Sequence, residues 1–341
     1  MKKVVFKILN GFKWFFICLI IFVLLVISSL NGVKYFIYNE YYSNKAILCE
    51  IPDINNGFVP QGLTYSEEEE LILQSGYIGG SNHCVIYLTD KDNVTKRLNV
   101  ANKDGSLYEG HFGGITINGD VVYVCEDHYL NERETLRGRV YTFSLKTLMS
   151  TDHNDKIFID GYVNVDADGS CISYYEGYLY VGEYYGKGSY ETVLDHRIVT
   201  PNNDNNTSIV SVYKVDENDK TKFGEYPEYQ ISLPENVQGI ALKDDTIVIS
   251  QSAGIGSSKM GYYSINKTGN LTSSSSGREV PLYYIDSSTK YKEVTMPAMS
   301  EGIFIKDNRV HVSFESACNK YIFGKLFNAF DVVSIPYYQS K

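Results

Sequence analysis

The sequence predicts an all-β fold preceded by one transmembrane helix, and three observations support this prediction. The 341-residue chain contains 30 tyrosines, and tyrosine favours strands over helices. A hairpin-like segment led by a small residue recurs five times along the chain. One stretch near the amino terminus is apolar enough to predict a helix that crosses a membrane. With 43% hydrophobic and 21% charged residues, the chain has the composition of a globular protein.

The first predicted element is the uncharged apolar run at residues 14–30, which follows four lysines. This run predicts a transmembrane helix at 14–31, and the positive-inside rule places residues 1–13 in the cytoplasm. A cleaved signal peptide is the alternative, although its apolar core is usually only about 7–15 residues long. We therefore expect a signal anchor in the cell membrane, a juxtamembrane linker at 32–45 and an extracytoplasmic domain at 46–341.

The charge of the chain is unevenly distributed. The chain has 31 basic and 41 acidic residues, and four of the basic residues precede the apolar run, where there is no acidic residue. The rest of the chain therefore has a net charge of −14. Proteins that bind nucleic acids concentrate positive charge on one surface. The sequence thus argues against a nucleic-acid partner, and it predicts contact with the membrane through the N-terminal helix.

The repeated segment predicts a β-hairpin. Each copy has a small residue, an alternating apolar stretch, a short polar turn and a second alternating stretch, which is typical of paired strands that are buried on alternate residues. The small residues are Gly62, Gly114, Cys171, Gly239 and Gly302.

Two more strands separate successive hairpins. Third strands are predicted to begin at Ile86, Val140, Val212, Leu282 and Val332, and fourth strands at Thr95, Lys156, Tyr229 and Glu293. Each unit is therefore a four-stranded antiparallel sheet. Repetition of such sheets around a channel is the β-propeller architecture, so the sequence predicts five blades.

The fifth unit lacks a fourth strand before the chain ends. The segment at 46–52 resembles the other fourth strands and also leads into a hairpin, so we expect it to complete the last blade. This closure removes the unpaired edges that an open arrangement would expose. A six-bladed propeller is the alternative, and it requires residues 255–279 to form a blade of their own.

Polar residues cluster at two positions of the repeat. One position lies at or just before the small residue, and the other follows the second strand. In a propeller both positions face the same mouth of the central channel, so we expect their side chains to form a ligand-binding site. The candidates are Gln61, His111, Glu126, His128, Asp168, Glu183, Tyr184, Gln238, Gln251, Glu301 and Glu315.

Carboxylates that converge on one axis raise each other's pKa or require a cation. Calcium is a hard cation that takes oxygen ligands from carboxylates and amides. The sequence therefore suggests calcium as a cofactor, with Glu301, Glu126 and Glu183 as ligands. The alternative is that these side chains contact water and backbone amides at the strand ends.

The inner-strand openings at Ser300–Ile303 and Asn236–Ala241 resemble those of lactonase- and gluconolactonase-like β-propellers. In that group an axial glutamate in a Glu-Gly step helps to hold a calcium ion, and Glu301-Gly302 matches this step. The Asn-Gly-Leu ligand motif of the group is absent, since Gln238-Gly239 stands in its place. The resemblance covers residues of about 46–338 and extends to architecture, not to activity.

The functional expectation is a membrane-anchored, extracytoplasmic propeller that binds a small molecule, a glycan or an envelope protein. One alternative is a calcium-dependent hydrolase of lactonase or glycosidase type, and another is a structural scaffold of the envelope. The chain has no GxSxG, HExxH or P-loop motif, and so no catalytic residue is assigned.

Overall fold

The computed structural model describes residues 2–126, 138–273 and 277–340. The chain divides into two compact units, Met1–Ser43 and Asn44–Lys341. The first contains helix α1 (Lys2–Ile37), and a short helix α2 (Asn39–Asn44) follows it. The transmembrane helix expected at 14–31 is not supported, because no helix among the described residues is both long and apolar enough to cross a membrane.

The second unit consists almost entirely of strands. The first half of it contains β1 (Ala46–Glu50), β2 (Phe58–Ser66), β3 (Leu71–Ile78), β4 (Cys84–Thr89), β5 (Thr95–Ala101), β6 (Phe112–Asn118), β7 (Val121–Glu126), β8 (Arg139–Ser144), β9 (Lys156–Phe158), β10 (Gly161–Asn164), β11 (Cys171–Tyr175) and β12 (Tyr178–Gly182). One helix, α3 (Leu145–Ser150), follows β8, and the Ser144 hydroxyl caps it by accepting a hydrogen bond from the Thr147 amide.

The second half of this unit continues the strand pattern, with 3₁₀ turns at Leu194–His196 and Gly324–Phe327. Its strands are β13 (Ile198–Val199), β14 (Asn205–Asn206), β15 (Ser208–Lys214), β16 (Tyr229–Leu233), β17 (Val237–Lys243), β18 (Thr246–Gln251), β19 (Ser258–Ser264), β20 (Asn266–Thr272), β21 (Glu279–Tyr284), β22 (Lys290–Met296), β23 (Ser300–Lys306), β24 (Arg309–Phe314) and β25 (Asp331–Pro336).

These strands form a five-bladed β-propeller, which confirms the predicted all-β architecture. From the channel outward, the blades are β2-β3-β4-β5, β6-β7-β8-β10, β11-β12-β15-β16, β17-β18-β19-β22 and β23-β24-β25-β1. The inner strands β2, β6, β11, β17 and β23 each contact the inner strands of both neighbouring blades, so the ring is closed. As predicted, the segment that begins at Ala46 supplies the outer strand of blade five, because β1 pairs antiparallel with β25.

Two of the predicted strands, the fourth strand at Lys156 and the third strand at Leu282, belong to other blades. The strand at Lys156 extends blade one, where β9 pairs parallel with β5, and β10 is the fourth strand of blade two. The strand that contains Leu282 extends blade three, where β21 pairs parallel with β16 and forms a hairpin with β20. Both errors arose because a β-forming segment does not reveal which edge it will pair with.

The six-bladed alternative is wrong. Residues 255–279 do not form a blade, because Ser258–Ser264 is the third strand of blade four and Asn266–Thr272 lies on the edge of blade three. Burial on alternate residues is also wrong for several strands. The first seven residues of β3 are all buried, for example, because sheets in a propeller pack against a neighbouring blade on both faces.

The core therefore lies between adjacent blades. One cluster packs Leu73 and Ile86 of blade one against Phe112 and Val124 of blade two. Similar clusters join blades two and three, three and four, and five and one. Inner strands approach so closely that an added Cβ on Gly302 would lie 2.4 Å from the Leu63 amide nitrogen. Glycine is required there by the adjacent backbone.

Candidate functional site

A small cavity of about 200 Å³ lies at one mouth of the central channel. It is lined by the beginnings of inner strands, by the ends of second strands and by the loops that follow them. The lining residues are Gln61, Tyr77, His111, Gly113, Ser170, Tyr184, Tyr190, Gln238, Gly254, Met299, Glu301, Glu315, Lys320 and Tyr321.

Backbone bulges place polar residues in this cavity. Four of the five inner strands shift register at the step that carries the repeated small residue. A bulged residue leaves the regular ladder, which changes the direction of its side chain. This is how Gln61, Gln238 and Glu301 come to line the channel mouth. The shifts lie between Pro60 and Gly62, Phe112 and Ile115, Val237 and Gly239, and Ser300 and Ile303.

Glu301 is the most deeply buried acidic group of the cavity. Its residue is only 2% exposed, and Oε1 has no hydrogen-bond partner among the described residues. Burial raises the pKa of this carboxyl well above its usual value, and the negative charge of Glu315 raises it further, whereas Lys320 opposes the shift. A buried carboxyl oxygen without a partner is costly to maintain.

Glu315 lies beside Glu301 and, unlike it, accepts hydrogen bonds from neighbouring side chains. Its Oε2 accepts a hydrogen bond of 3.0 Å from Nε2 of Gln61, which also donates to the Pro60 carbonyl. Burial raises the pKa of Glu315 to about 7, against the opposing effects of the Lys320 ammonium and of hydrogen bonds from Gln61 and Tyr321. The pKa values of both carboxyls are therefore raised, and among the described residues hydrogen bonds stabilise the charged form of Glu315 only.

Met299 fixes the position of both acidic residues. It adopts a left-handed backbone conformation with φ of 60°, which is uncommon for a residue with a side chain. The backbone amide of Glu315 donates a 3.0 Å hydrogen bond to the Met299 carbonyl. This bond ties the segment before β23 to the residue after β24. Strained conformations of this kind persist where the surrounding structure holds them, as at binding sites.

Lys320 is the only lysine among the described residues that line the cavity. Its Nζ donates a 2.6 Å hydrogen bond to the phenol oxygen of Tyr77 and lies 5.1 Å from the centre of that ring. These two distances place the ammonium nearly in line with the phenol C–O bond, so the contact is a hydrogen bond and not a cation–π interaction. Burial and the charges of Glu315 and Glu301 raise the pKa of the Tyr77 phenol, which is therefore a neutral donor at pH 7.

Two tyrosines form an aromatic corner next to Glu301. The rings of Tyr184 and Tyr190 are nearly perpendicular, with an interplanar angle of 78° and centroids 5.6 Å apart. Reciprocal 2.8 Å backbone hydrogen bonds between Gly186 and Tyr190 fold the loop back and hold Tyr190 there. Burial, followed by the charge of Glu301, raises the pKa of Tyr184 to about 12.

His111 lies at the rim of the cavity. Its ring is 4.7 Å from that of Tyr77, measured between centroids. Desolvation and the nearby Lys320 ammonium lower the pKa of His111 to about 4, and the imidazole is therefore uncharged at pH 7. It does not supply positive charge to balance the two glutamates.

The cavity brings together six of the predicted site residues: Gln61, His111, Tyr184, Gln238, Glu301 and Glu315. Gln251 lies elsewhere and donates to the Glu235 carbonyl. Asp168 is buried and does not line the cavity. His128 lies outside the described residues.

The predicted calcium ligands are not brought together. Glu126 accepts hydrogen bonds from the His111 amide and the Tyr108 hydroxyl, whereas Glu183 binds His196 and the Ile209 amide. Neither residue lines the cavity that contains Glu301. No group of three or more His, Cys, Asp or Glu side chains in the described part of the chain is arranged to hold a metal. Calcium takes six to eight oxygen ligands, so this site does not fit it.

The sequence analysis did not identify Tyr77, Met299, Lys320 and Tyr321. Tyr77 lies two residues after Ser75, a position that the repeat already marked as facing the channel mouth. Lys320 and Tyr321 belong to the long loop after Glu315, which has no counterpart of equal sequence in other blades. Only the fold shows that these two side chains of the loop line the cavity.

The fold and the cavity define a five-bladed β-propeller with an acidic, tyrosine-lined pocket on its axis. No family model matches the chain, and no curated protein matches it. The chain resembles solved structures of a GH43_1 enzyme from Xanthomonas citri (8% identity, 87% of this chain and 91% of that chain, TM-score 0.45) and of a glucose dehydrogenase (9%, 87% and 99%, 0.43). These identities are too low to carry an activity over to this chain.

Proposed function

We propose that this protein is a binding module for a small polar molecule and that the axial cavity is its binding site. The observation that carries this proposal is Glu301, which lines the cavity and whose buried Oε1 has no hydrogen-bond partner among the described residues. The loss of hydration at such an oxygen is compensated when a ligand donates a hydrogen bond or a positive charge to it.

The size of the cavity argues for a small molecule over the other expected partners. Sites for drug-sized ligands usually measure about 300–1,000 Å³, whereas this cavity measures about 200 Å³. Amide groups from Gln61 and Gln238 and hydroxyls from the tyrosines provide donors and acceptors around the carboxyls. A long glycan or a protein surface would have to bind largely outside this enclosure.

The proposal is tested with the purified full-length protein. Small saccharides, organic ammonium ions and small carboxylates are screened as separate groups by thermal shift, and hits are measured by isothermal titration calorimetry. We expect at least one group to bind to the wild type and to lose at least tenfold in affinity in Glu301→Gln. Glu69→Gln, an exposed glutamate on the β2–β3 turn, is the matched control and retains binding. Hits that bind Glu301→Gln equally well, or an absence of hits, contradict the proposal.

The pair of glutamates favours a second function, hydrolysis by acid–base catalysis. Two neighbouring carboxyls with different proton affinities can act as a general acid and a general base. Here Glu301 would be the protonated acid and Glu315 the base. Turnover of aryl glycosides or simple lactones that is lost in both Glu301→Gln and Glu315→Gln would support this function. Binding without turnover would contradict it and leave the binding module intact.

A further inference from the structure

We propose that the ligand of the axial cavity is a small organic ammonium ion, which the carboxyls of Glu301 and Glu315 and the aromatic corner of Tyr184 and Tyr190 would bind. This inference rests on the proposed function, because it names the chemical class of a ligand for the same cavity.

Among the residues that the structure describes, the charges that line the cavity leave one positive charge missing. Glu301 and Glu315 can contribute two negative charges, and Lys320 contributes one positive charge. His111 is neutral at pH 7, as are the phenols of Tyr77 and Tyr184. Neighbouring carboxyls either hold a proton or attract a cation. A monovalent cation in the cavity would therefore replace the proton that Glu301 otherwise keeps.

The rest of the lining indicates an organic cation and not a metal ion. The cavity offers two carboxyls, whereas calcium takes six to eight oxygen ligands. Next to Glu301 the cavity is lined by the rings of Tyr184 and Tyr190 and not by further carboxyl groups. Cations with a diffuse charge and apolar substituents bind to the faces of aromatic rings, and walls that are close to perpendicular enclose such a group on two sides. Tyr184 and Tyr190 both line the cavity, and the angle between their rings is 78°.

Lys320 already shows how one ammonium group is held in this environment. Its Nζ donates to the Tyr77 hydroxyl and lies 5.3 Å from the ring centre of Tyr321, on the side of Glu315. Lys320 is otherwise exposed, and it makes neither a hydrogen bond with Oε1 of Glu301 nor a cation–π contact with Tyr184. Because Lys320 and a second cation would repel each other, removal of Lys320 should strengthen the binding of a cationic ligand and not weaken it.

The test uses choline and its uncharged carbon isostere 3,3-dimethyl-1-butanol, two probes of nearly the same size and shape. Titration calorimetry with the full-length protein is expected to give at least tenfold tighter binding for choline. Glu301→Gln is expected to weaken choline binding at least tenfold. Tyr184→Leu weakens it at least fivefold, whereas Tyr184→Phe retains it because the ring face remains. Lys320→Met tightens it at least threefold, and Glu69→Gln leaves it unchanged.

Each alternative outcome has a defined meaning. Equal binding of the isostere, or weaker choline binding in Lys320→Met, overturns the ammonium inference. Binding of a saccharide that depends on Glu301, without binding of choline, also overturns this inference but leaves the proposed function in place. If no group of small molecules binds, both the ammonium inference and the proposed binding function are contradicted. Circular dichroism and melting temperatures establish that each variant is folded, and Glu315→Gln serves as the second carboxyl variant if Glu301→Gln does not fold.

Discussion

Cys171 and Gly182 lie directly opposite each other on β11 and β12, and an added Cβ on Gly182 would lie 2.6 Å from Sγ of Cys171. In blades one and four the arrangement is reversed, because the glycine is on the inner strand and a serine is on the second strand. The inner strand of blade three also lacks the register shift of the other four. In each of these three blades one residue of the crowded pair has a side chain. In blade three this residue is on the inner strand, whereas in blades one and four it is on the second strand.

The first prediction concerns this exchange. Gly182→Ala introduces a methyl group into the space of Sγ and is expected to lower the free energy of unfolding by about 1–3 kcal/mol. In Cys171→Gly/Gly182→Ser, the side chain returns to the second strand, and the double variant should be more stable than the two single changes predict in sum. Chemical denaturation of Gly182→Ser, Cys171→Gly and the double variant completes the cycle. Additive effects would show that the two positions are not coupled.

The repeat, the five blades and the closing strand could be predicted because they depend on local patterns. A small residue followed by alternating apolar residues indicates an inner hairpin wherever it occurs, and the segment at Ala46 has the pattern of an outer strand. The pairing partners of Lys156–Phe158 and Glu279–Tyr284 could not be predicted. Both strands pair parallel at a blade edge. The sequence of a single strand does not indicate which strand it will pair with.

Only those residues of the candidate site that occupy a fixed position of the repeat could be predicted. Gln61, Gln238 and Glu301 occupy one fixed position of the repeat, and this made them visible in the sequence. Lys320 and Tyr321 reach the cavity through a loop whose path depends on tertiary contacts. Glu126 and Glu183 occupy equivalent positions after the second strand, but local donors, such as the His111 and Ile209 amides, bind them instead.

The second prediction concerns the loss of folding stability that the ionisation of Glu301 and Glu315 causes. Both have pKa values that are raised above the unfolded value of about 4.5, so the folded state retains protons that the unfolded state releases. Their contribution is therefore absent below about pH 4.5, and it destabilises the protein increasingly as the pH rises towards 7 and above. Glu301 faces Glu315, Cys318 and Lys320, and the last of these reduces the cost.

Glu301→Gln and Glu315→Gln should therefore flatten the decline in stability between about pH 5 and pH 8. Urea unfolding at several pH values measures this slope in the ligand-free protein, with Glu69→Gln as the control. A decline of the same steepness in all variants would mean that the two carboxyls ionise normally. Because ligand binding supplies the missing charge, saturation with a cationic ligand should flatten the wild-type curve as well.

The third prediction concerns the buried ion pair between His196 and Glu183. The Nδ1–Oε1 distance is 2.7 Å, and both side chains are almost fully buried, so the pair fastens the loop at 186–207 to the end of β12. Burial alone would lower the pKa of His196, but the charge and hydrogen bond of Glu183, with smaller contributions from Asp166 and Asp195, raise it above 6.5. The stabilisation is therefore fully present below pH 6.5, and it is lost as the pH rises through the folded-state pKa.

Glu183→Gln leaves His196 buried without its counter-charge and is expected to cost about 3–5 kcal/mol. Limited proteolysis should then cut the loop at 186–207 faster, and in the wild type the cutting rate should rise with pH once the protease's own pH dependence is subtracted. Glu191→Gln, which breaks the exposed ion pair with Arg197, is the control and should cost less than about 1 kcal/mol. Equal costs for the two variants would argue against a special role of the buried pair.

The fourth prediction concerns His311, which stacks on Phe304 with parallel rings and centroids 4.5 Å apart. The residue is 6% exposed, and neither ring nitrogen has a hydrogen-bond partner among the described residues. Burial, together with the positive charges of Arg309 and Lys306, lowers the pKa of His311 to about 4, although Asp307 opposes this effect.

Because the unfolded chain binds a proton near pH 6.5 and the folded chain does not, stability falls as the pH drops from 6.5 to 4, by up to about 3 kcal/mol. His311→Phe keeps the stacked ring and removes both buried nitrogens, so it should abolish this loss and equal or exceed the wild type in stability at pH 7. His153→Gln, which removes an exposed imidazole, should leave the acid dependence as it is. If His311→Phe loses as much stability in acid as the wild type, then a different group takes up the proton.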